Sequence, residues 1–148
     1  MKLDLAKYAE HLARKEYEAV GFLPRPRLEA YEAAGQILAE EENGELCGVV
    51  VFGNGHPTLR IYQAIIQYDA RRMEHGLNLV ARVMDEATRR HCDTVSLWCA
   101  DDLPANNFWQ AAGFIRIGQR EGGAKRGRKH NLWVRAVPTS QFILWPAA

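Results

Sequence analysis

No charge of one sign dominates this chain. Nineteen lysines and arginines stand against eighteen aspartates and glutamates, a net charge of +1. That balance removes any global pull toward nucleic acid or an anionic membrane. Cysteine is scarce and odd in number: Cys47, Cys92 and Cys99. Their spacing matches neither a zinc pattern nor a disulfide framework, so reduced and mostly buried thiols are expected. No stretch approaches the roughly 20 consecutive apolar residues of a membrane span. The N-terminal MKLDLAKYAEH carries charges where a signal peptide would need an apolar core. Together these features predict a cytoplasmic protein without a membrane partner. Nothing repeats internally. What the chain does have is 148 residues, 47% hydrophobic and 25% charged. Such a length and composition suit one globular domain over 1–148, with 138–148 set off as a C-terminal extension.

Along the chain, Leu5 to Val20 reads as an amphipathic helix, with Leu5, Tyr8, Ala9, Leu12, Glu16 and Ala19 near one face. Gly21, Pro24 and Pro26 punctuate it, and a short helix from about Arg27 to Ala34 ends at Gly35. Strands are predicted at Gln36–Glu41, Leu46–Phe52 and Leu59–Gln67, the first two joined by the hairpin signal Asn43-Gly44. A helix then runs to about Arg90, with Leu77, Val80, Ala81 and Met84 on one face. A strand at Thr94–Cys99 and a helix from Pro104 to Ala112 follow. Strands at Ile115–Gln119 and His130–Val137 complete the pattern. Helices flanking a run of strands, with one crossover helix in the middle, predict an α+β or mixed α/β sheet.

The stretch Ile61–Leu79, IYQAIIQYDARRMEHGLNL, draws attention for its chemistry. A strand runs through a cationic, glycine-bearing turn into a helix start. The first helical N–H groups lack intrahelical partners, and the aligned dipoles place about half a positive charge there. Arg71 and Arg72 add fixed cationic donors. This is a physical recipe for holding phosphate.

Arg71-Arg72-Met73-Glu74-His75-Gly76 resembles the R-x-x-G-x-G/A acyl-coenzyme-A signature of the GNAT superfamily of N-acetyltransferases. Downstream, Phe108-Trp109-Gln110-Ala111-Ala112-Gly113-Phe114 resembles that family's F-Y-x-x-x-G-F ending, with a helix and a strand in between. The resemblance spans Ile37 to Val134. It implies a central, mostly antiparallel sheet, flanked by helices and splayed where the cofactor enters. It implies acetyl-CoA as acyl donor, no metal, and a small-molecule or peptide amine as acceptor. Transfer would be by direct attack through a tetrahedral intermediate, with the oxyanion held by a backbone N–H near Ile66 or Gln67.

By the same resemblance, Ile66, Arg71, Arg72, Met73, Glu74, His75, Gly76 and Leu77 hold the cofactor, chiefly through main-chain amides between Met73 and Leu77. Asn106 and Trp109 line its thiol end, with Asp102 where the family often has asparagine. Three departures stand out. Glu74 replaces the family's first glycine. The chain starts with a helix where the family starts with a strand, unless the apolar Gln141–Trp145 replaces that strand or pairs two copies as a homodimer. Trp109 replaces a tyrosine that protonates the departing thiolate, which an indole cannot do. Tyr68 is the candidate substitute acid, and Gln67 could position a water. As general base, Glu40, Asp101, His56 and His130 qualify by type. Cys99 has no arguable His partner as a nucleophile. The cation-rich Arg120–Lys129 reads as a solvated hairpin loop without interleaved aromatics, which argues against nucleic acid. The alternative to an enzyme is an inactive module that binds coenzyme A, or nucleic acid through that loop.

Overall fold

The computed structural model describes residues 4–15, 23–66, 73–122 and 127–138. Helices α1 (Leu5–Lys15) and α2 (Arg25–Ala33) come first. Strands β1 (Ile37–Glu42), β2 (Glu45–Phe52) and β3 (Thr58–Ile66) follow, then α3 (Met73–Arg89), β4 (Thr94–Ala100), α4 (Ala105–Ala111), β5 (Ile115–Glu121) and β6 (Lys129–Ala136). The strands form one open sheet in the order β1-β2-β3-β4-β6-β5. Only β3 and β4 run parallel, and α3 makes the crossover that a parallel pair requires. The fold is thus mixed α/β with a mostly antiparallel six-stranded sheet, as predicted.

Local chemistry explains most boundaries. Asn43 and Gly44 both take positive φ, 54° and 82°, the signature of a tight hairpin turn matched to strand twist. Gly113 at φ 91° lets α4 turn directly into β5. Pro26 does not separate two helices as expected. It stands in the first turn of α2, where its missing N–H costs nothing. Among the described residues no strand precedes α1.

Helices cover the sheet unevenly. On one face α1 and α2 bury Ala6, Ala9, Leu12 and Leu28 against Ile37, Val49, Val51 and Ile65. On the other, α3 buries Leu79, Val80, Val83, Met84 and Ala87 against β2, β3 and β4. Val80 and Met84 are buried as predicted, while the other half of the predicted α3 face is corrected. Leu77 is 42% exposed and Ala81 is exposed as well, because the helix presents Gly76 and Leu79, not Leu77, toward the sheet.

One irregularity positions the site. Between Val51↔Gln63 and Phe52↔Ile61 the β2–β3 register slips, leaving Tyr62 as an extra residue in β3. Such a bulge bends its strand and swaps which residues face the core. Before it, Leu59 and Ile61 belong to the α3 side; after it, Gln63 and Ile65 pair with residues that face α1 and α2.

Candidate active site

The β3–β4 pairing covers only Thr58↔Thr94, Leu59↔Val95 and Arg60↔Ser96. The bulge at Tyr62 comes immediately afterwards. From there to Ile66 and Ala100 the two central strands run without pairing, so the sheet opens as a wedge at their C-terminal ends. Backbone groups on both lips are thereby left free of ladder hydrogen bonds across the gap, the arrangement a ligand with amide groups can complete.

Beside that opening stands the start of α3. In a helix beginning at Met73, the first-turn N–H groups without an i−4 partner belong to Met73, Glu74 and His75. The expected turn is therefore the first turn of a helix. The Glu74 side chain is exposed in the first turn of α3. Gly76 and Leu77 fall beyond the free donors. Gln67, Tyr68, Arg71 and Arg72 lie outside the described residues. Ile66 packs at the wedge, against Gly48 and near Gly76.

A polar latch holds this helix start against the sheet edge. His75 Nδ1 lies 3.1 Å from Glu40 Oε1, Asn78 donates to the same oxygen at 3.3 Å, and Arg82 donates to Glu40 Oε2 at 2.9 Å. Arg82 also donates to the Ala39 carbonyl at 2.7 Å. Burial alone would raise the Glu40 carboxyl. The hydrogen bonds from His75, Asn78 and Arg82, with the Arg82 charge, outweigh burial and hold it below the usual carboxylate range. The spacing of His75, Asn78 and Arg82 puts them on one helix face, a stripe visible in the sequence. Their partner on β1 was not. Glu40 was a candidate base by type, and here it is the anchor of α3.

Packing also requires a glycine at Gly76. A Cβ there would fall 2.8 Å from Phe108 Cε1 and 3.0 Å from Cζ. Carbon atoms prefer about 3.5–4.0 Å. The close approach is to the Phe108 ring of α4. Alanine would gain about 1 kcal/mol of helix propensity, but displacing the ring costs about 1–3 kcal/mol. Gly76→Ala should therefore lose up to about 2 kcal/mol in urea denaturation. In a Phe108→Leu background the clash is relieved and the same change should become stabilising.

Trp109 is 6% exposed and sits edge-on between Phe108 and Phe114, at centroid distances of 5.0 and 5.3 Å. With Ile61, Ala64, Ile66, Leu79 and Phe108 it lines an apolar cavity of about 20 Å³ under the wedge. That is room for about one water, but its walls have the apolar chemistry that suits a thioester arm. Asn106, expected to donate to the cofactor, is committed inside the fold. Its Nδ2 donates to the carbonyls of Ala100 and Leu103, both at 2.8 Å. Its Oδ1 accepts from Asn131 Nδ2 and Trp133 Nε1, both at 2.9 Å. Asn106 ties α4 to β4 and β6.

The remaining candidates separate by position. His56 lies at the opposite end of β3, bonded through Nε2 to the His91 carbonyl at 3.0 Å. Asp101 is exposed, and Asp102 pairs with Arg128 at 3.1 Å. Burial pushes the Cys99 thiol up to about 11, so it is no nucleophile near neutral pH. His130 pairs in register with Ala100 at the open end of β4, and its Nδ1 is buried without a hydrogen-bond partner among the described residues. Burial, then the charges of Arg128 and Arg120, depress its pKa. The cation-rich stretch is not simply a loop: Arg120 belongs to β5, Lys129 to β6, and Arg120 stacks 4.0 Å over Trp98. Among the described residues no group of acidic, His and Cys side chains could hold a metal, and no helix could cross a membrane.

The model of the Acetyltransferase (GNAT) family matches residues 5–114, and the chain belongs to that family. No curated protein matches it. Solved structures match in fold at low identity. Ard1 from Thermoplasma volcanium superposes with a TM-score of 0.78 at 14% identity, over 93% of this chain and 95% of that one. The ribosomal-protein-S18-alanine N-acetyltransferase from Escherichia coli gives 0.73 at 14%, over 99% and 96%. N-acetylglutamate synthase from Neisseria gonorrhoeae, complexed with coenzyme A and N-acetyl-glutamate, gives 0.74 at 17%, over 93% of this chain and 34% of that one.

Proposed function

We propose that this chain transfers an acetyl group from acetyl-CoA to a primary amine. The observation that carries the reading is the three-residue β3–β4 pairing, broken by the Tyr62 bulge beside the free N–H groups of α3. Family membership and N-acetyltransferase fold relatives, one solved with coenzyme A, support it. The amides of Met73–His75 would hold the pyrophosphate, with Arg71 and Arg72 adding charge. The apolar wall from Ile61 to Trp109 would exclude water from the thioester, which supplies the activated acyl group. The lips of the wedge would orient that group through backbone amides near Ile66.

An amine nucleophile must lose a proton, and we assign its acceptor as His130. The ring stands at the open end of the wedge and is neutral at physiological pH because its pKa is depressed. Glu40 and His56 are engaged elsewhere. Tyr68 remains the acid we assign for the leaving thiolate, with Gln67 placing a water.

Thermal melting with acetyl-CoA tests the first part. Ligand at a hundred times its dissociation constant should add about 2.7 kcal/mol of stability. Thiol release over an amine panel tests the second, and His130→Gln should flatten the acidic limb of the pH–rate profile. No stabilisation by acetyl-CoA would end this reading. Binding without turnover on any amine would favour the inactive coenzyme-A module.

A further inference from the structure

The wedge has two faces. On the α3 and α4 side it is closed by Phe108 and Trp109. On the other side α1 and α2 cover only β1 to β3, and among the described residues no helix packs over β4, β6 and β5. An amine that meets a thioester held from the first side must arrive from the second.

The lips of the wedge on that second face carry a particular chemistry. Arg60 and Ser96 are its last paired residues and share one face. Two positions further along each strand come Tyr62 and Trp98, one on each lip. Arg60 lies 5.4 Å over the Tyr62 ring, and Arg120, reaching across from β5, lies 4.0 Å over the Trp98 ring. Tyr62 in turn packs on Tyr31 of α2 at 5.6 Å, and Arg27 lies 5.7 Å over Tyr31 while donating to its hydroxyl at 2.7 Å. Among the described residues, Arg27, Arg60 and Arg120 form no ion pair. The nearby acids of α2 are already engaged: Glu29 with Arg25, and Glu32 with the N–H groups of Leu5 and Ala6.

An arginine stacked on an aromatic ring keeps its in-plane N–H donors free, held in the fork that matches an oxyanion bidentately. Stacking also removes part of the side-chain entropy that a surface arginine loses on binding. One such fork stands on each of the two strands that border the wedge, Arg60 over the Tyr62 ring of β3 and Arg120 over the Trp98 ring of β4. We propose that the acceptor is an amine that also carries an oxyanion group, carboxylate or phosphate, and that Arg60 and Arg120 select it from the strands that border the wedge. This rests on the transferase reading for the direction of approach. The recognition itself concerns binding and can be scored without turnover.

The test offers amines of equal length as carboxylate, phosphomonoester and primary amide to the intact chain. The amide must be the poorest, by at least tenfold in kcat/KM, and the other two rank the source of the oxyanion. The double variant R60Q/R120Q should bring all three within about threefold. It should do so through KM for the anionic amine, with KM for acetyl-CoA unchanged. Equal use of the amide, or a preference that survives in R60Q/R120Q, overturns the proposal. Should no amine release thiol, the melting shift decides. Stabilisation by the anionic amine but not the amide, lost in R60Q/R120Q, supports it even as the transferase reading fails. No shift with any amine overturns it, as does salt-sensitive retention on single-stranded DNA that the double variant abolishes.

Discussion

Trp109→Ala is expected to lower stability by about 3–5 kcal/mol, the range for emptying a buried large aromatic site. For a chain of this size that corresponds to roughly 10 °C or more in melting temperature. The magnitude follows from placement. Trp109 is 6% exposed, wedged edge-on between Phe108 and Phe114, and forms the floor beneath the opening of β3 and β4. Its loss should also loosen the α3–α4 junction that Gly76 and Phe108 close. Trp109→Phe separates that structural role from any chemical one. Phenylalanine keeps most of the apolar edge contact and gives up the indole N–H. If Trp109 acts by filling space, the variant should stay within about 2 kcal/mol of the parent, with kcat per folded molecule changed less than about threefold. An indole can donate a hydrogen bond but cannot hand over a proton to a thiolate. A tenfold or larger fall in kcat, with Tm nearly unchanged, would show that the N–H touches the reacting atoms. Chemical denaturation and thiol release on the same preparations give both numbers.

Much of the architecture could be read from local signals. Asn43-Gly44 named the first hairpin, because only residues tolerant of positive φ fit that turn. Pro104 and Gly113 bracketed α4 for similarly local reasons. The phase of α3 was harder. Leu77, Leu79, Val80, Ala81, Val83 and Met84 spread around much of its circumference. What decides the buried side is the Phe108 ring that demands a glycine at 76, a partner 32 residues away in the chain. The bulge at Tyr62 was invisible for a related reason. Residues 59, 61, 63 and 65 are all buried and look like simple alternation, yet the extra residue turns the later ones to the opposite layer. At the candidate site, the sequence supplied the helix start and the anion-binding logic. Side-chain partners around the site come from distant strands: Glu40 from β1 for His75 of α3, and Arg120 from β5 for Trp98 of β4. Cross-strand placement follows from register, which no local pattern carries.

That distant partner gives the second large effect, and it depends on pH. Glu40 is 15% exposed at its side chain and accepts from His75, Asn78 and Arg82. Hydrogen bonds to a charged group contribute about 1.5–3 kcal/mol. Arg82 is 44% exposed, which discounts its part for solvent screening. Glu40→Gln is therefore expected to lose about 2 kcal/mol at neutral pH. The folded-state pKa of Glu40 is depressed, so the folded protein prefers the ionised form more than the unfolded chain does. Its contribution is thus fully present above the unfolded carboxylate pKa of about 4.3 and is lost as pH falls through the lower folded value. The stability gap between parent and variant should be constant above about pH 6 and close on acidification below about pH 4. Urea midpoints from neutral to acid pH measure it, and a gap that stays open in acid would mean the carboxylate charge is not what stabilises the latch. The same variant reports on the site. Glu40 holds His75 and Asn78, and so fixes the direction in which the first N–H groups of α3 point. Releasing them should weaken coenzyme A binding severalfold at neutral pH, although Glu40 itself need not touch the ligand.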